Sequence, residues 1–138
     1  MNHKQSGVTL IEVMIAVIIV GILSAVAVPN FMAYLAQAAR AEARGILMEN
    51  AQFLERNYSV ANRFDEDASG AATDLPFDQS PKEGTAKYNI STSVLTATTY
   101  TLQAVPTGSM AGDECGTLTL NHLGDRGSAG TLAECWEH

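Results

Sequence analysis

The hydrophobic rhythm of the chain changes twice along its length. From Val8 to Phe31 nearly every position is apolar, with Glu12 as the lone carboxylate, and after Glu12 no Asp, Glu, Lys or Arg appears before Arg40, a stretch of 27 residues. A hydrocarbon layer about 30 Å thick needs roughly 20 helical residues, so this segment is long enough to cross a membrane. Past Pro29 the polar content rises while helical spacing persists. Ala36 to Ala43 is rich in good helix formers, and Ile46, Leu47, Phe53, Leu54 and Tyr58 fall on one face. Arg40, Arg44, Glu49, Glu55 and Arg56 decorate the remainder. The pattern predicts a helix from about Thr9 to Tyr58, roughly 75 Å long at 1.5 Å per residue. One small domain cannot bury such a helix. Its first half is assigned to a membrane or an assembly, its second half to packing on a head. A Pro in a helix interior removes a hydrogen bond and clashes with the preceding turn, so a kink is expected near Pro29.

The second change comes after a connection. Residues 59–86 are rich in Asp, Gly, Ser and Pro and read as a long surface loop. Beyond it the period becomes two. Tyr88, Ile90 and Thr92 alternate with polar neighbours, as do Tyr100, Leu102 and Ala104, and then Leu118 and Leu120. Breaks at Pro106–Gly108 and Gly124–Gly127 separate them. This is an antiparallel sheet with one buried face, the natural cover for the Ile46–Tyr58 stripe. The fold class is α+β: a long N-terminal helix on a small antiparallel sheet.

Charge sharpens the division. The chain has a net charge of −7, and from Val60 onward four basic residues face eleven acidic ones. Such a surface repels phosphate backbones and gains little from counterion release, which argues against DNA as a partner. The triplet Asp65, Glu66, Asp67 reads as a solvated acidic turn, with a calcium site as the lesser alternative. Cys115 and Cys135 are the two cysteines, with nineteen residues between them. In an exported domain they read as one disulfide; two free buried thiols are the alternative. His122 and His138 do not form a second ligand pair at zinc spacing, and no metal or cofactor is expected. No enzyme constellation stands out. His122 follows the strand leucines inward or ends their strand, Ser109 and Asp113 have no histidine at recognisable spacing, and GDRG and GSAG lack a phosphate loop's strand-to-helix context.

Glu12 remains the costly residue. A carboxylate in hydrocarbon costs on the order of 3 kcal/mol, and less at headgroup level. At headgroup depth it needs no special partner. Deeper, it needs a cation, and the segment has no basic side chain. A free α-amino group on a neighbouring chain would serve if cleavage exposed one. Lys4 ahead of the apolar core sets the N-terminus on the cytoplasmic side, with Arg40 and Arg44 a further helical stretch away.

The run G-VTLIEV (residues 7–13), with leader before it and apolar helix behind, resembles the prepilin signature of type IV pilins. The resemblance implies a seven-residue leader (1–7) cut by a membrane peptidase after Gly7, with Val8 as the N-methylated mature terminus. The family more often has Phe where this chain has Val8. Glu12 maps onto the family's glutamate that pairs with the amino terminus of an adjacent subunit during assembly. Gly21 and Pro29 match positions between which the helix loosens in filaments. TTYTLQAVP (98–106), CGTLTLNHLGDRGSAG (115–130) and Cys135–Trp136 resemble the heads of small type IVa pilins, with Trp136 packed against the disulfide.

The division that follows is leader 1–7, membrane or filament-core helix 8–30, amphipathic helix 31–58, loop 59–86, and sheet with disulfide-bounded region 87–138. The resemblance implies a non-enzymatic subunit of a type IV pilus. Of its possible roles, a minor pilin acting in pilus assembly, with twitching motility and adhesion, comes first. A DNA-uptake receptor, a major pilin and a type II secretion pseudopilin are alternatives. Implied partners are other pilin subunits and the prepilin peptidase. The implied location is the inner membrane as precursor, then the extracellular filament.

Overall fold

The computed structural model describes residues 7–137; Lys4 and the rest of the leader before Gly7, together with His138, lie outside the described residues. The chain divides into two units, Met1–Leu35 and Ala36–His138. One helix, α1 (Leu10–Ala61), contributes residues to both.

The helix begins where its local chemistry says it should. In Thr9-Leu10-Ile11-Glu12 the Thr9 hydroxyl accepts the Glu12 backbone N–H at 3.3 Å, and the Val13 N–H donates to the Thr9 carbonyl at 3.2 Å. A threonine cap with a glutamate three residues on is the capping-box sequence, and a carboxylate in the first turn also faces the positive end of the helix dipole. Every residue from Gly7 to Leu35 is exposed, in a segment whose most apolar window has a mean hydropathy of 2.8. The helix assignment runs through Pro29 without a break.

In the second unit the same helix turns amphipathic and buries Ala39, Ala43, Arg44, Ile46, Leu47, Asn50 and Leu54. These recur at three, four and seven residues, the stripe of a helix covered on one side. Phe53 and Tyr58 of the expected stripe pack half-buried against the same core.

The cover is a five-stranded antiparallel sheet in sequential order. Its strands are β1 (Gln79–Ser80), β2 (Tyr88–Leu95), β3 (Tyr100–Pro106), β4 (Leu118–Asn121) and β5 (Arg126–Gly127). The register places Ile90 opposite Ala104 and Leu102 opposite Leu120. Tyr88, Ile90, Tyr100, Leu102, Ala104, Leu118 and Leu120 therefore all face the core, each large apolar chain contributing about 1.5–3 kcal/mol. The alternation expected from sequence holds up to Thr92, where a register irregularity between Thr92 and Val94 leaves that residue half-buried.

Besides a 3-10 turn at Gly108–Met110, three elements lie outside what the periodicity predicts. β1 falls inside the segment read as a connection, and β5 falls inside the Gly124–Gly127 break. A short helix, α2 (Leu132–Trp136), closes the chain. Two-residue strands are too short to show a period. The helix start, in contrast, has a signal: Thr131-Leu132-Ala133-Glu134 repeats the capping box. Its Thr131 hydroxyl accepts the Glu134 N–H at 3.3 Å and donates to the Glu134 carboxylate at 2.7 Å.

Candidate functional site

Around the expected processing point, Gly7, Val8 and Glu12 lie within the first turn and its approach, all exposed. Glu12 shares an apolar hollow with Val8, Val13, Ala16, Val17 and Val20. A methyl group added at Gly21 would meet nothing within 4 Å, so this chain alone gives no packing reason for glycine there. Gly21 and Pro29 sit further along α1, away from the Glu12 turn.

In the head the two cysteines are joined: Cys115 and Cys135 form a disulfide across a separation of 20 residues, and both are buried. Gly130 passes so close that a Cβ there would lie 2.9 Å from the Cys135 sulfur. Trp136 donates its indole N–H to the Gly127 carbonyl at 3.0 Å. The tryptophan thus fastens α2 to β5 and packs into the core beside Cys135.

Asp113, in the sequence no more than a loop residue, is a hub. Its carboxylate accepts from Arg40 Nε at 2.9 Å and from Arg40 Nη2 at 2.5 Å, from the Tyr88 hydroxyl at 3.4 Å and from the Cys115 N–H at 3.3 Å. Its side chain is only 5% exposed. Hydrogen bonding to this carboxylate raises the Arg40 guanidinium above its ordinary value, against desolvation. The fork geometry of arginine suits this bidentate grip. It ties α1 to the residue that leads into the disulfide. No sequence pattern could expose a pair 73 residues apart.

Several other charges are paired locally. Arg63 holds Asp65 at 2.7 Å and Glu66 at 3.0 Å, and the hydrogen bond from Arg63 lowers the Asp65 carboxyl below its usual range. Asp67 is lowered by accepting from the Ser69 hydroxyl and from the Ser69 and Ala71 N–H groups. The acidic triplet closes its own turn. Lys82 sits 2.5 Å from Glu49 and 3.9 Å from the Phe77 ring centre. Arg126 instead lies over the Trp136 ring at 5.5 Å. Arg44 is buried and is lowered first by that burial and then by the positive charges of Arg126 and Arg40.

His122 ends β4: its N–H donates to the Tyr100 carbonyl at 3.1 Å, and its ring stands edge-on to Tyr100 at 6.2 Å. Tyr100 in turn donates to Glu55 at 3.1 Å. Among the described residues no group of three or more His, Cys, Asp or Glu is placed to hold a metal ion.

Comparison with known proteins puts these features in a family. The family model "Type IV minor pilin ComP, DNA uptake sequence receptor" matches residues 29–119, and the "Prokaryotic N-terminal methylation motif" matches residues 2–28. Over 43 residues the chain is 49% identical to the type IV major pilin protein PilA of Myxococcus xanthus and 56% identical to PilE1 of Neisseria gonorrhoeae. Each match takes in 31% of this chain, and 20% and 26% of those relatives respectively. The chain thus spans only a fifth to a quarter of the curated relatives it matches. Among solved structures, the non-core minor pilin PilV of Neisseria meningitidis superimposes with a TM-score of 0.52 at 25% identity, covering 75% of this chain and 95% of that one.

Proposed function

The chain belongs to the type IV minor pilins of the ComP family, a structural and non-enzymatic family, and from that premise we propose that it is a pilus subunit whose head binds double-stranded DNA for uptake. The observation that carries this reading is the family match across residues 29–119, which takes in the second half of α1 and most of the sheet. It reverses the ranking drawn from sequence, where an assembly role stands first because the head is acidic. Net charge is a sum over the whole surface, whereas a duplex meets one patch. Arg63 and Lys82 are matched by carboxylates in their own neighbourhoods, while Arg126 is exposed and lies over the Trp136 ring. Steering of a polyanion depends on the local field rather than on the sum.

The rest of the reading concerns the N-terminus. Cleavage falls after Gly7, Val8 becomes the methylated terminus, and the precursor waits in the inner membrane. Glu12, poised at the start of α1, then meets the amino terminus of a neighbouring subunit as the chain enters the filament. The methylation-motif match over residues 2–28 and the exposed apolar helix support this sequence of events. Gly21 and Pro29 ease the helix into the filament core.

Transformation frequency and surface pili, measured in the same deletion strain, separate the two ranked roles. The DNA-receptor reading expects transformation to collapse while pili remain, with recovery when the gene is returned. Loss of pili together with transformation would return the assembly role to first place.

A further inference from the structure

A line of exposed residues runs along the second half of α1, beside the stripe that the sheet covers. Glu42, Gly45, Glu49, Gln52 and Arg56 follow one another at alternating steps of three and four, and all are exposed. That is the heptad spacing by which one helix lies along another. Gly45 is its odd member. Glycine inside a helix is destabilising relative to alanine, and a Cβ here would meet nothing within 4 Å. The chain by itself gives no reason for a glycine there, whereas a second helix passing close does.

Gly45 opens onto a groove of about 600 Å³ between α1 and the 81–83 turn, which Glu42, Ile46, Glu49, Pro81 and Glu83 also line. Lys82 is bound to Glu49, but Glu42 and Glu83 have no ion-pair partner among the described residues. Farther along the stripe Arg56 has none either. It lines two hollows whose carboxylates are already engaged: Glu49 by Lys82, and Asp67 by the Ser69 and Ala71 N–H groups. The stripe is therefore negative at one end and positive at the other.

We infer that this stripe is a contact between two copies of the chain, in which Arg56 of one copy reaches Glu42 at the groove of the next, the helices lying parallel and offset by fourteen residues, about 21 Å. It rests on the pilus-subunit reading above, because two chains with their apolar N-terminal segments in one membrane or filament core run parallel. Charge selects the offset. In register, Glu42 meets Glu42 and Arg56 meets Arg56. At an offset of seven, Arg56 meets Glu49, which already holds Lys82. At fourteen, the unmatched cation meets the unmatched carboxylate. Ser59 then faces Gly45, and small residues opposite each other let two helices approach closely. Val60, 75% exposed, comes over Ile46 at the groove. An exposed ion pair contributes little affinity; its part is to exclude wrong registers, while Val60 and the groove supply apolar area. Because the contact joins different patches on the two copies, it extends an assembly instead of closing it.

The test is cysteine crosslinking between differently tagged full-length copies in the same cells, read in membranes and in sheared filaments. A disulfide needs Cα atoms about 4.4–6.8 Å apart, so it reports the offset. Gly45→Cys in one copy and Ser59→Cys in the other give a crosslinked pair. Gly45→Cys in both copies, or Gly45→Cys with Gln52→Cys, gives none. With the crosslinking pair in place, Glu42→Arg or Arg56→Glu carried by both copies reduces the yield about fivefold, and the two reversals together restore it. Melting of the head is unchanged throughout, because both charges are exposed. A chain present in filaments that links in register, at seven, or not at all overturns the contact and leaves the pilus reading standing. A yield indifferent to either reversal does the same. A crosslink in membranes with no chain in sheared filaments overturns the pilus reading and leaves the contact.

Discussion

The two halves of α1 share one secondary structure and almost nothing else. From Leu10 to Leu35 no side chain is buried; from Ala36 onward seven residues face a sheet. Helical propensity cannot tell these halves apart. What separates them is where the apolar residues sit around the axis. They lie on all sides in the first half, which suits surroundings that are apolar on all sides, and on one stripe in the second half, which suits a single cover. The contrast extends to the two Thr-Leu-x-Glu starts. Thr9–Glu12 and Thr131–Glu134 have the same capping chemistry, yet only the first opens an uncovered apolar segment. Capping accounts for Glu12's place at the start of the helix; pairing with the amino terminus of a neighbouring subunit belongs to the proposed assembly step.

Damaging each half in turn should give two different failures. Leu47→Ala should lower the stability of the head by about 3 kcal/mol, because a fully buried leucine leaves a cavity. Glu12→Gln should leave the melting temperature of the head unchanged and instead abolish entry into filaments, read by immunoblotting of sheared pili. Normal incorporation of Glu12→Gln would remove the pairing role. Next in size is Asp113→Asn. It weakens the charged grip on Arg40 and should cost about 2 kcal/mol in denaturant unfolding, with no effect on membrane insertion.

The smallest effect is alkaline. Tyr88 is pushed up to about 12, first by burial and then by the Asp113 charge. Tyr100 is raised by burial and by Glu55. Both are neutral acids held protonated in the fold, so their contribution to stability is complete below pH 10 and declines as pH rises from about 10 to about 12. Melting temperature followed with tyrosinate absorbance should show ionisation and softening of the head together. Full ionisation of these phenols near pH 10 without loss of structure would contradict their burial.

Much of this architecture is legible in the chain's own pattern. Periods of 3.6 and 2 locate α1 and the three longer strands, because each has enough residues to show which face is covered. The even cysteine count and the resemblance of Cys115–Gly116 and Cys135–Trp136 to small pilin heads anticipate the disulfide. β1 and β5 are out of reach because a two-residue strand has no period. The Arg40–Asp113 pair is out of reach because it is made by folding. The alanines Ala39 and Ala43 read only as helix formers, although they are also where the core closes on the helix. The start of α2 carries its own signal, a capping box, in a tail with little other regular pattern. The acidity of the head weighs least in choosing a role, since a sum of charges carries no position.

Whether the head receives DNA is decided most plainly by direct binding. Full-chain protein in detergent micelles is titrated into labelled duplexes at low salt, and the shifted fraction is measured against unlabelled competitors. A DNA receptor gives saturable binding in which one short sequence competes better than its scrambled counterpart. Mobility that stays that of free duplex at every protein concentration would contradict it.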